Sequence, residues 1–546
     1  MLSEESRDQV EKANSDRIDM AVLEIISGFF SLTTLYLTVA TIVIFFIYDF
    51  WTHTYFKRLG IPGPPPKPIF GNAMDFGRPI FEVLGEYSEK YGPVVGIYMF
   101  RRPVLVISDL HMLRNIMVKD FHKFYNKFPL PLGSGSLDTA LFLLRDAQWK
   151  RVRDVMTPSF TGKKMKMMSD IINECADTMV EKLHKSSKDG GNVETQELFG
   201  SFVMDALASC AFGLKVNSQK DKNDPFVKNA AKLFEISFTS PVFMAVSFMP
   251  SLRPIFEFFN FTLFPKDVID FFHDVTEKTV AMRESQPSEQ GKDFLQLLID
   301  AKNGKAKMVI ENDDDDVHNK YFKDAGAEES VSTKTKKYLT KEELFGQSII
   351  FLSAGYETTA TLLTYASYLL ASNPDCQDKL IAEIDDVVPK RDDVSYTSIS
   401  KMPYLDQVVC EVLRIYPPGV LSDRECGETC TYNGCRIDKG IQIWIPTYSI
   451  QRDHTHWPDP LKFDPDRFTK ENREGRNPFT WMPFGAGPRI CLGMRFALME
   501  AKMALVRSLQ EVRFEISPLT KIPPPVDNTS LMSKKDSYTL KVVQRK

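Results

Sequence analysis

The sequence predicts a mainly α-helical domain with small β-sheets, carried behind one membrane-spanning helix. Three observations point there. Residues Ile25 to Tyr48 form an apolar run without a single charged side chain. Beyond residue 68 most of the chain follows helical periodicity, and only short runs such as Val104–Ile107 and Ile441–Ile445 read as strands. Neither an internal repeat nor a second Gly/Pro-rich linker divides that region, so one large domain is expected.

The apolar run has 24 residues, more than the roughly 20 that cross a bilayer. Seven acids precede it against three basic residues, and Lys57 and Arg58 follow it. The positive-inside rule therefore places the bulk of the chain in the cytosol. No small-residue cleavage site follows the run, which favours an uncut anchor over a removed signal peptide. Gly60 to Pro68 then reads Gly-Ile-Pro-Gly-Pro-Pro-Pro-Lys-Pro, a stiff extended connector that forbids helix. The expected organisation is a lumenal segment 1–24, an anchor 25–48, a proline-rich linker 49–68 and a catalytic domain 69–546.

With 43% hydrophobic and 12% aromatic residues the domain can bury a core and still line an apolar pocket. A net charge of −4 speaks against nucleic-acid binding. Eight cysteines without regular spacing suggest reduced thiols facing the cytosol, and the cluster Cys426, Cys430 and Cys435 is read as structural.

Between Phe234 and Phe272 the chain carries eleven phenylalanines broken by four prolines, which suits a roof that touches the bilayer. Phe128 to Leu137 is expected to form a further pocket wall. Residues 304–337, with Asp313 to Asp316, are too polar to pack and read as a solvated loop. Thr340-Lys341-Glu342-Glu343 is a capping box that starts a helix from Lys341 to Ser372, and Asn373-Pro374 ends it and opens the next.

Residues able to carry chemistry cluster in a few places. Cys491 ends the run Phe484-Gly485-Ala486-Gly487-Pro488-Arg489-Ile490-Cys491-Leu492-Gly493. Glycines let this loop turn sharply and approach a flat partner, while Arg489 can neutralise an acid on it. A structural zinc would need about four ligands, and the nearest other cysteine is Cys435. A lone thiolate suits the proximal face of a haem iron; a buried structural cysteine in a Gly-rich turn is the plain alternative. In the long helix, Ala354-Gly355-Tyr356-Glu357-Thr358-Thr359 sets small residues, an acid and hydroxyls within an apolar stretch. Gly355 costs about 1 kcal/mol there relative to alanine, so a local reason is expected. Glu411 and Arg414 stand three apart on one helix face and can pair.

Phe484, Gly487, Arg489, Cys491 and Gly493 resemble the haem-binding signature of the cytochrome P450 family. Four more motifs follow that family's order over nearly the whole chain after Ile61: Trp149-x-x-x-Arg153, Ala354–Thr359, Glu411-x-x-Arg414, and Phe463-Asp464-Pro465-Asp466-Arg467-Phe468. The resemblance implies the cytochrome P450 fold with haem b as cofactor and Cys491 as the axial thiolate and iron ligand. It implies that Trp149, Arg153, Arg424 and Arg489 meet the haem propionates, with Phe484 of the loop also binding the haem and Lys127 standing where family members often carry an arginine. It has the small side chains Ala354 and Gly355 make room for dioxygen, and makes Thr358 the hydroxyl that hydrogen-bonds it and Glu357 part of the proton supply. Glu411, Arg414 and Arg467 would form a structural triad beneath the Cys loop.

The implied activity is monooxygenation of a lipophilic substrate, whether steroid, fatty acid or xenobiotic. Electrons would come from NADPH through a membrane-bound reductase docking near Lys150, Arg151, Arg473 and Arg476, with cytochrome b5 as a second donor. The expected location is the endoplasmic reticulum membrane. Local wording looks most like the vertebrate family-three drug-oxidising branch and thromboxane-A synthase. An endoperoxide isomerase of the latter kind is the alternative, opposed by Thr358, where that enzyme has an apolar residue. A non-catalytic haem sensor or carrier has no use for a Glu-Thr proton path.

Overall fold

The computed structural model describes residues 32–129, 135–221, 223–234, 264–285, 293–304, 338–390, 394–524 and 538–545, with Arg17, Met20, Ala21 and Glu24 before them. The solvated-loop reading of 304–337, save for Gly304, therefore lies outside the described residues. So do the centres of the phenylalanine-rich segment (235–263) and of the 128–137 wall (130–134).

Helix α1 spans Leu32–Thr52. Of its apolar side chains those from Leu35 to Phe46 stand exposed, a surface that water penalises and lipid accepts. It runs past the expected end at Tyr48, while 25–31 lie outside the described residues. The extra turn holds because its one acid has partners. Asp49, 2% exposed, accepts from the Ile69 N–H at 3.0 Å and lies 3.2 Å from Nδ1 of His53, whose Nε2 meets the Phe100 carbonyl at 3.0 Å. The proline linker is seated on the domain. The N–H of Gly96 donates to the Pro62 carbonyl at 2.8 Å, and a Cβ at Gly63 would stand 2.0 Å from the Gly96 oxygen.

The body is helical: α2 (Ile80–Tyr91), α3 (Asp146–Met156), α4 (Gly162–Lys188), α5 (Thr195–Phe212), α6 (Lys266–Ser285), α7 (Phe294–Lys302), α8 (Lys341–Ser372), α9 (Pro374–Val387), α10 (Pro403–Ile415) and α11 (Met494–Leu509). α8 begins at the expected capping box, with Thr340 and Glu343 bonded reciprocally, and runs through the core against α5, α10 and α11. Phe264 and Phe272 are buried, Phe272 edge-on to Phe226 at 5.3 Å, so these two phenylalanines build core, not a bilayer-facing roof.

Among the described residues, three small sheets complete the fold. β1 (Val94–Met99), β2 (Arg102–Ile107), β7 (Gln442–Ile445) and β4 (Ser422–Glu425) form one in that order, with β2 and β7 parallel. β3 (Asn192–Glu194), β9 (Thr539–Gln544) and β8 (Val512–Glu515) form the second. β5 (Cys430–Tyr432) and β6 (Cys435–Ile437) make a hairpin whose two-residue turn, Asn433-Gly434, has both φ positive, at 49° and 78°.

Candidate active site

The Cys491 loop is a closed, tethered turn. The N–H of Cys491 donates to the Phe484 carbonyl at 2.9 Å. Gly487 takes φ 68°, and a Cβ there would lie 1.9 Å from the Met117 oxygen, so only glycine fits. The loop feeds directly into α11, whose first N–H groups point back at the thiol. Cys491 is exposed, yet it is so closely surrounded that burial is the main influence on its acidity and pushes the thiol up. The backbone N–H of Gly493, then Arg153, Lys127 and the N–H of Met494 pull it back down.

Cations converge on the same recess. Arg424 on β4 is 1% exposed; one Nη donates to the Asp423 carbonyl at 2.7 Å, and its Nε is buried with no partner. Arg489 donates to the carbonyls of Tyr125 (3.1 Å) and Leu144 (2.9 Å), with its guanidinium 4.0 Å from the Trp149 ring centre. Burial pushes Arg489 down to about 9 and Arg153 down to about 10. It lowers Arg424 and Lys127 as well, and Lys127 stands 3.8 Å from Asp423. Four desolvated cations opposed chiefly by Asp423 and Asp154 leave positive charge to be met by an anion. A flat group bearing two carboxylates and needing one thiolate fits this donor set.

The distal helix divides its small residues between two jobs. Ala354 is exposed midway along α8, flanked by part-buried residues at 353 and 355–358, so the helix opens there. Gly355 faces the other way: a Cβ would meet Leu207 of α5 at 2.8 Å. Its missing side chain serves helix packing, correcting the expectation that both residues make room for dioxygen. Thr358 Oγ1 donates to the Ala354 carbonyl at 2.8 Å, and Glu357 is half-buried beside it. Phe351, two turns earlier, meets Phe496 of α11 at 5.5 Å and ties this helix to the element that follows Cys491.

Beneath the loop, Arg414 forks onto Glu411 at 2.6 and 2.8 Å with both side chains 0% exposed, and Arg467 Nε stands 3.4 Å from the same carboxylate. Burial pushes the Glu411 carboxyl up, while Arg414, the Asp464 N–H and Arg467 pull it back. Sequence reasoning missed Gln451, which links Arg414 to the Cys loop, and Arg145, which donates to the Lys127 carbonyl and to Glu425. The cations expected to meet the reductase also make contacts within the chain. Arg151 pairs with Glu343, Arg473 with Asp406, and Lys150 stands 3.7 Å from Asp154.

The family model described as Cytochrome P450 matches residues 61–542. The chain belongs to the cytochrome P450 family. It is 37% identical over 516 residues to Cytochrome P450 3A6 of Oryctolagus cuniculus, covering 94% of this chain and 98% of that one. It is 37% identical to Cytochrome P450 3A9 of Rattus norvegicus over 94% and 97% of the two chains. Cytochrome P450 3A56 of Fundulus heteroclitus is 38% identical over 95% and 100%. This cytochrome P450 is a haem-thiolate monooxygenase of lipophilic substrates that takes electrons from NADPH through a reductase, and the endoperoxide-isomerase alternative is not favoured.

Proposed function

We propose that Cys491 supplies the thiolate of this monooxygenase and that Trp149, Arg153, Arg424, Arg489 and Lys127 seat the haem carboxylates above it. The observation that carries this reading is the unpartnered, buried Nε of Arg424 among desolvated cations around an exposed thiol. Haem, when bound there, supplies dioxygen activation and oxidation of a C–H bond. The protein's own part is to hold Cys491 as thiolate with helix N–H groups and nearby cations, and to match its positive recess to two acids. Phe484 closes the loop through its carbonyl. Thr358 Oγ1 holds a proton next to the opening at Ala354, and half-buried Glu357 brings protons to it from solvent. Glu411, Arg414 and Arg467 fix the ground on which the Cys loop rests.

We further propose a single-pass protein of the endoplasmic reticulum with 1–24 in the lumen, an anchor beginning at 25, and the remainder, 69–546, as a cytosolic catalytic domain. The apolar exposed α1 and the basic Lys57 and Arg58 after it support this. Cytochrome b5 is a second electron donor. The test is reconstitution of purified protein with reductase, NADPH and a panel of steroids, fatty acids and drugs. The expected result is NADPH-dependent hydroxylated product, with Thr358→Ala continuing to consume NADPH while peroxide rises and product falls. Turnover of a prostaglandin endoperoxide without reductase, and no hydroxylated product with it, would overturn the reading.

A further inference from the structure

α11 carries one acid in its interior, Glu500. It is 0% exposed, and neither carboxyl oxygen has a hydrogen-bond partner. The cations of the same helix are committed elsewhere, Arg495 to the Phe160 carbonyl at 3.4 Å, Lys502 to Asp406 at 2.8 Å and Arg507 to Asp177 at 2.7 Å. What faces Glu500 is the hydroxyl of Thr359 on α8, itself buried and without a partner inside hydrogen-bond limits. The two neighbouring threonines differ here. Thr358 bonds back to the Ala354 carbonyl, whereas Thr359 leaves its own backbone acceptor unused. Two buried polar groups left unsatisfied are costly, and here they face one another across the interface of the helix that leads from Cys491 and the helix that carries Glu357 and Thr358.

We infer that Glu500 is a positioning residue: its carboxyl and the Thr359 hydroxyl are each other's partner, and this contact sets how α8 presents Glu357 and Thr358. Burial without a cation pushes the acid well above the usual carboxylate range and so favours its neutral form, with the Thr359 hydroxyl as the group that opposes the shift. The thiols beside it are neutral too. Burial first, then the carboxyls near it, pushes Cys175 up to about 12, and burial raises Cys210 well above the ordinary thiol. As a neutral acid Glu500 can donate to Thr359 Oγ1, which an ionised one cannot. The contact then joins α8 to α11 by a directed bond beside the Phe351–Phe496 ring contact, so the hydroxyl one residue earlier inherits a fixed position.

The inference rests on the monooxygenase reading for its turnover arm only. In the haem-loaded full chain with reductase and NADPH, E500Q stays neutral and able to donate, so the peroxide-to-product ratio is expected to stay within about twofold of the native value. E500L and T359V should each raise that ratio about fivefold or more with the reduced, carbon-monoxide Soret band unchanged, and the double variant should be no worse than E500L alone. If E500L fails to take up haem, T359V against T359S carries the same comparison, with T359S expected near native. Independently of turnover, the infrared spectrum of the native holoenzyme should contain a protonated-carboxyl band that E500Q lacks and that T359V shifts. Native ratios in T359V, additive effects in the double variant, or a band unmoved by T359V would overturn the pairing. Absence of any NADPH-dependent product in the native protein would instead overturn the proposed function, leaving the infrared band to decide the contact.

Discussion

Arg414 and Gln451 are joined by a buried hydrogen bond, Arg414 Nη1 donating to the Gln451 carbonyl at 3.0 Å. The side-chain oxygen of the same Gln451 accepts from the N–H of Met482 at 2.8 Å, two residues before Phe484. The buried Glu411–Arg414 pair is thus wired to the Cys loop through one glutamine. Removing one member of a buried ion pair costs about 3–5 kcal/mol, so E411A should give little haem-loaded protein. Q451L leaves the ion pair intact and removes the glutamine's bonds to Met482 and to the Leu413 and Arg414 carbonyls, so it should fold but lose haem faster. Transfer of haem to an acceptor protein measures this, and a native rate in Q451L would show that the loop does not depend on the wire.

Arg424 has a buried Nε with no protein partner. Its worth is therefore expected to appear when an anion arrives. R424L should leave the thermal stability of the haem-free chain unchanged or raise it, because a desolvated cation is lost, while weakening haem retention. Calorimetry of the haem-free protein and a haem titration separate the two effects; equal destabilisation of both forms would assign Arg424 to the fold alone.

Gly355 packs on Leu207, where an added Cβ would stand 2.8 Å from Cδ2. G355A gains about 1 kcal/mol of helix propensity and loses about 1–3 kcal/mol by overpacking, so a small net destabilisation is expected. In L207A the clash is gone and the same substitution should stabilise. Denaturant unfolding of the four-member cycle checks the sign change; identical effects in both backgrounds would place Gly355 away from α5.

Much of this was legible in the sequence because its signals are local. The capping box at Thr340 and Glu343, the Asn-Pro break after Ser372 and the glycines of the Cys loop each act within a few residues, and the structure places them as read. What was not legible depends on distant partners. Gly355 reads as a widened cavity until Leu207, from another helix, is set against it. Gln451 carries no pattern of its own, and Arg151 and Arg473 look free until Glu343 and Asp406 fold onto them. Glu500 did leave a trace, as the one acid in the apolar run after Cys491. The anchor's extra turn depends on Ile69, which stands 20 residues beyond Asp49.

Cys491 as the thiolate ligand is put to the test by the reduced, carbon-monoxide spectrum of C491H. The native protein should show the long-wavelength Soret band of thiolate-ligated haem, and C491H should bind haem with that band moved to the position given by a neutral nitrogen ligand, with monooxygenation lost. A Soret band in C491H identical to the native one would remove Cys491 from the site.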